Sequence, residues 1–203
     1  MTVTGTIFGF DLAVVSGVAE GRPGEKPTSY SVTLRQRNDP SYFVFSNLIA
    51  FLNDKFQAER PALVVKEAML PLGALLQLGM SESVVRVHAG LHATVEGMCG
   101  RFGVRWEDVR DGTYRKHFLG QSRFGSRNET KAATVNRCHL LGLMPRDCND
   151  NNRADALAIW DWAAATYGSR SASMMNFHLF GERTASDDQQ QGQGNVGHRS
   201  GSR

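Results

Sequence analysis

The sequence predicts an α/β fold: a mixed five-stranded sheet flanked by helices, in the order β-β-β-α-β-α-β-α-α. Three observations lead there. Short apolar or alternating stretches with Gly-rich turns fill residues 6–34, which suits an antiparallel meander. A continuous apolar run at 62–65 follows a helical stretch and suits a buried parallel strand. Further helical periodicities then flank another short strand, the pattern of parallel crossovers.

The elements follow in order. Residues 6–15 (TIFGFDLAVV) are apolar and β-prone, with Asp11 in their middle. Gly17 and the stretch 21–27 read as turns. In 29–34, Tyr30, Val32 and Leu34 share one strand face. Pro40 opens a helix in which Phe43, Leu48, Phe51, Leu52 and Phe56 recur at helical spacing, and Arg60-Pro61 stops it. Pro71 breaks the chain soon after Glu67. A second long helix spans 83–102, with Ser81 as its cap and Val84, Val87, Leu91, Val95 and Met98 as its apolar stripe. Residues 104–106 form a strand and 112–120 a short helix or turn. The polar stretch 121–127 (QSRFGSR) reads as a mobile loop. A helix over 129–141 ends at Gly142. The cluster 149–152 (NDNN) caps a last helix that runs to about Tyr167 and ends at Gly168.

A chain of 203 residues with 41% hydrophobic content supports one domain with a real core. Beyond Glu182 apolar residues almost vanish, so 1–181 is the expected domain and 182–203 a disordered polar tail. The net charge of +3 is too weak by itself to indicate a nucleic acid. It is concentrated, however: residues 101–139 hold nine Lys/Arg against four acids. That run is either a solvated helix face or a patch that faces phosphate. Cys99, Cys138 and Cys148 form no paired spacing, which argues against a disulfide framework and for a reducing compartment. No run approaches a membrane span, and no secretory signal opens the chain, so a cytoplasmic protein is expected.

Three acids stand at the edges of hydrophobic elements: Asp11 in FGFDLAVV, Glu67 in VVKEAML and Asp155 in ADALA. An ionised group in such a place must be paired, metal-bound or wet. Taken singly, Asp11 also suits a turn or edge strand, and Asp155 suits a first-turn acid that complements the helix dipole. Taken together, acids that end adjacent parallel strands can share hard cations. Two Mg²⁺ ions about 3.5–4 Å apart would clamp the attacking water and the leaving oxygen of an in-line displacement, with no amino-acid nucleophile.

At these residues the chain resembles the RuvC family of Holliday junction resolvases, within the ribonuclease H-like superfamily. The resemblance runs from about Gly5 to Tyr167, through FGFDLAVVSG (8–17), VVKEAML (64–70), YRKHFLG (114–120), NETKAATV (128–135) and NRADALAIWDWA (152–163). It implies a homodimeric, structure-selective DNA endonuclease that cleaves branched DNA with two Mg²⁺ per site, Mn²⁺ substituting. A nuclease for RNA–DNA hybrids or flaps and a non-catalytic DNA-binding module are the alternatives. Asp11, Glu67 and Asp155 match the metal-binding acids. Asn152 stands where the family carries a further ligand, with Asp150 as the alternative. Lys131 and either Arg115 or Lys116 match positions that contact the cut phosphate. Arg123 and Arg127 lie in or beside a loop that looks longer than in bacterial relatives. Leu70 falls near a position where relatives use an aromatic wedge. The IWDW segment (159–162) looks more like phage-encoded relatives, and Trp160 and Trp162 read as core or dimer residues. The implied setting is the cytoplasm of a bacterial or phage-infected cell.

Other chemistries lack their motifs. His88 and His92 are spaced i, i+4 without the Glu of HExxH. No GxxxxGK[ST] is present, so no nucleotide cofactor is expected, and GxSxG is absent too.

Overall fold

A computed structural model describes residues 2–168. Residues 169–181 of the expected domain and the expected tail, 182–203, lie outside the described residues. The sheet contains β1 (Ile7–Asp11), β2 (Val15–Gly21), β3 (Thr28–Thr33), β4 (Leu63–Glu67) and β5 (Trp106–Val109). Their order across the sheet is β3-β2-β1-β4-β5. The first three strands are antiparallel, whereas β4 pairs parallel with β1 and with β5. The helices are α1 (Phe43–Ala58), α2 (Leu72–Gln77), α3 (Glu82–Phe102), α4 (Asp111–Leu119), α5 (Arg127–Leu140) and α6 (Asn151–Tyr167). The larger elements keep the expected order; α4 is the short helix or turn expected at 112–120, and α2 is a short addition.

Strand alternation gives the sheet two buried faces. Phe8, Phe10 and Val64 pack with α1 and α3 residues such as Leu48, Leu52, Leu91 and Val95. Ile7, Leu63 and Val65 pack on the opposite side with Tyr114, Val135 and the core of α6. Asp11 and Glu67 have the parity of Ile7 and Val65, so both acids belong to the α6 face.

The packing of α6 explains two glycines. This helix is buried on nearly every side, from Ala154 through Trp160 and again at Ala163 and Ala164. A Cβ on Gly9 would stand 2.8 Å from the Ala156 carbonyl oxygen, and one on Gly17 would stand 1.8 Å from that of Asn152. Both positions must be bare for α6 to lie on the sheet. Gly17 is therefore a mid-strand residue of β2, paired with Asp11, and not a turn.

Several local expectations shift. The turn after Asp11 is 12–14, so the apolar stretch 6–15 is split between two strands. Trp106–Val109 replaces 104–106 as the fifth strand. On α3 the buried stripe is Val85, Leu91, His92, Val95, Met98 and Cys99, while Val84 is exposed. Ser81 does cap α3, accepting from the Val84 N–H. The stretch 121–127 is tied to α5. Ser126 and Glu129 form a reciprocal capping box, and the Phe124 N–H donates to Thr130 Oγ1 at 3.0 Å. Trp160 is a core residue, its Nε1–H donating to the Gly21 carbonyl oxygen at 3.2 Å. No helix among the described residues is long and apolar enough to cross a membrane.

Candidate active site

The sheet brings two acids to one level. Phe10 pairs with Lys66 in the parallel register, so Asp11 and Glu67 each follow one residue later at the carboxyl ends of neighbouring strands. Ligands of open α/β sheets bind beyond such ends. The third acid comes from α6. Asp155 is only 5% exposed and lies in the second turn, because the helix begins at Asn151. It is thus too far along the helix to complement the dipole, an effect confined to the first turn.

All three acids line one cleft of about 850 Å³, together with Leu70, His88, Asp111, Arg115, Arg123, Arg127, Lys131 and Asn152. Their electrostatics are coupled. Burial pushes the Asp11 carboxyl up to about 7, and the charges of Asp155 and Glu67 push the same way, against Lys131 and Arg115. Burial also raises Glu67, against the Tyr114 hydrogen bond and Arg115. Asp155 is raised by burial against the pull of Arg115, Lys131 and Arg127.

A hydrogen bond orients one of the three carboxylates. Tyr114 Oη donates to Glu67 Oε2 at 2.9 Å. Arg115 sits 4.0 Å from Asp155 Oδ2 and also bonds Asp111 at 3.1 Å. Asp155 Oδ1 is buried without a hydrogen-bond partner. Asn152 donates its amide N–H to the Val15 carbonyl oxygen at 2.8 Å, which leaves Oδ1 as the group it can offer a cation.

The donor set suits a hard divalent cation: three carboxylates and an amide oxygen, one carboxylate oxygen being orphaned. As the side chains stand, no three Asp, Glu, His or Cys among the described residues close around a common metal position. Tyr114 engages one oxygen of Glu67, and Arg115 lies beside one oxygen of Asp155, so each carboxylate keeps a second oxygen for a cation.

Not every expected residue arrives. Asp150 is the N-cap of α6: its Oδ1 accepts from the Asn152 and Arg153 N–H groups, and its Oδ2 accepts from Ser31 Oγ at 2.6 Å. Both oxygens are committed, and Asp150 does not line the cleft. Between Arg115 and Lys116, only Arg115 lines it. Sequence reasoning missed Tyr114 and Asp111, whose roles depend on α4 packing against α5 and α6. It also missed Lys66, which has the parity of Val64 and so points to the α3 face. There it is buried, donating to Asp108, to Glu96 and, at 3.2 Å, to His92 Nδ1.

No protein-family model matches the sequence, and no curated protein does. Solved structures do match. The Thermus thermophilus RuvC structure aligns with a TM-score of 0.57 and 17% identity, over 79% of this chain and 96% of its own. T. thermophilus RuvC in complex with Holliday junction substrate aligns with a TM-score of 0.57 and 15% identity, over 79% and 95%. The yeast mitochondrial Holliday junction resolvase Ydc2 aligns with a TM-score of 0.56 and 10% identity, over 88% and 82%. The chain therefore has the RuvC-like, ribonuclease H-like fold.

Proposed function

We propose that this chain is a metal-dependent endonuclease of branched DNA, acting on four-way junctions as a homodimer in a reducing cytoplasm. One observation carries the reading: carboxylates from β1, β4 and α6, half-buried on the strands and buried on the helix, line one cleft together with Arg115, Arg123, Arg127 and Lys131. Carboxylates alone would repel a phosphodiester. Flanked by four cations and able to hold divalent ions, they make a site for one. The match to RuvC structures, one of them with a Holliday junction substrate, agrees with that substrate class.

Asp11, Glu67, Asp155 and Asn152 are the residues that would hold Mg²⁺ or Mn²⁺. Two such ions would supply Lewis-acid stabilisation of the phosphoryl oxygens and a nucleophilic water at neutral pH. The chain's own groups do the rest. Tyr114 fixes the Glu67 carboxylate. Lys131 and Arg115 offset negative charge as it builds on the phosphate in the transition state. Arg123 and Arg127 would hold the flanking backbone, and Leu70, which lines the cleft and is 49% exposed, would press on bases at the branch. A homodimer presents two clefts to a pseudo-symmetric junction.

The test is a substrate panel of four-way junction, flap, RNA–DNA hybrid and linear duplex, with Mg²⁺ and with EDTA. The proposal expects junction cleavage that requires Mg²⁺. Preferential hybrid cleavage would move the chain to the hybrid-nuclease reading, and no cleavage of any substrate would make it a binding module.

A further inference from the structure

Four buried side-chain nitrogen or oxygen atoms among the described residues have no hydrogen-bond partner: Asp155 Oδ1, Arg115 Nε, His88 Nδ1 and Arg35 Nε. Such atoms are rare in folded proteins, and each calls for a partner such as a ligand, an ion or water. The first two belong to the catalytic cleft. The other two lead elsewhere. Arg35 lines a second groove of about 590 Å³ between the β1–β2 turn and the N-terminal ends of α1 and α3. His88 lines both spaces, as does Ala13. The two are therefore neighbours separated by one turn residue and one imidazole.

The second groove has two kinds of wall. Val14, Phe45, Val84, Val87 and Leu91 make it apolar, and Arg35 and Arg86 place guanidinium groups beside that surface. Arg86 already pairs with Glu82 at 3.2 Å, but Arg35 Nε is unmatched. A nucleotide has the complementary form, a flat base that gains from apolar burial and a phosphate that accepts from a guanidinium. A purely hydrophobic partner would leave Arg35 Nε without an acceptor.

We infer that this groove binds a single unstacked nucleotide of the substrate strand, base against Phe45 and Val84 and phosphate on Arg35, as the strand leaves the catalytic cleft past His88. The inference rests on the nuclease reading for its substrate but not for its test. A nucleotide unstacks at less cost at a branch than within intact duplex, so the groove gives the protein a way to sense the branch point.

The test is a methyl NMR titration of the full chain with single-stranded (dT)6 in EDTA, where cleavage plays no part. Wild type should show saturable shifts at the Val84, Val87 and Leu91 methyls. Arg35→Ala should weaken the affinity read at those methyls about tenfold, and Arg35→Lys should restore part of it, both with unfolding curves like wild type. Because EDTA removes every divalent cation, this result is separate from any failure of the metal site. Shifts confined to residues of the catalytic cleft would overturn the inference, as would insensitivity to Arg35→Ala. So would Val84 shifts that follow protein concentration in place of oligonucleotide, since they would make the groove a contact between copies of the chain.

Discussion

The Tyr114 hydroxyl donates a 2.9 Å hydrogen bond to Glu67 Oε2, and the tyrosine ring is completely buried. One oxygen of the carboxylate is thereby committed to α4, and the other is left for the cleft. Tyr114→Phe keeps the ring and removes the bond. It should cost about 1–2 kcal/mol in urea unfolding. Single-turnover cleavage should fall about tenfold or more, the scale for losing a group that orients a metal ligand.

Asp11 gives the protein a pH signature. Its folded carboxyl, raised by burial and by Asp155 and Glu67, titrates at about 7, whereas an unfolded one titrates near 4. The folded state binds more protons in that window, so this group's contribution to stability falls as pH rises from about 4 to about 7. His92, pushed down to about 4 by burial and by Lys66, gives the opposite slope below about 6.5. Comparison with Asp11→Asn isolates the Asp11 part. In metal-free buffer near pH 8 the variant should melt several degrees above wild type, at roughly 2–4 °C per kcal/mol for a chain of this size. Near pH 4 the two should melt together. Calorimetric scans across that range check it.

Gly17 sets the seat of α6. Gly17→Ala drives a Cβ against the Asn152 carbonyl, a backbone atom that no rotamer can move aside. The variant should lose at least about 2 kcal/mol of stability, within the range of overpacking, and its Mg²⁺ affinity should fall because Asn152 and Asp155 ride on the same helix. Urea unfolding and metal titration read the two effects separately.

Much of this was legible in the sequence, for identifiable reasons. Asp11, Glu67 and Asp155 each interrupt strongly apolar sequence, which singled them out, although Asp155 read as a first-turn acid and lies in the second turn. The capping of α6 was legible for the same local reason, although its Asp150 has both oxygens bonded and does not line the cleft. Tyr114 was not legible, because its partner lies 47 residues away and only the docking of α4 brings them together. Lys66 was hidden by its neighbour: reading VVKE as one motif obscured that successive strand residues face opposite sides. Gly17 looked like a turn because its requirement for a bare Cα comes from α6, far along the chain.

The division between Arg115 and Lys116 predicts a contrast in salt dependence. Lys131 lines the cleft and Lys116 does not. Lys131→Ala should therefore lower the slope of log affinity against log salt by about 0.9 for junction binding, the value of one lost phosphate contact. Lys116→Ala should leave the slope unchanged. Anisotropy titrations with a labelled junction at several salt concentrations measure both.

The most direct test of the central claim, that Asp11, Glu67 and Asp155 act together on a phosphodiester, is single-turnover cleavage of a synthetic four-way junction by wild type and Asp11→Asn, with and without Mg²⁺. The account predicts cutting by wild type only when Mg²⁺ is present, and no cutting by Asp11→Asn, which still binds the junction. Undiminished Mg²⁺-dependent cleavage by Asp11→Asn would contradict it.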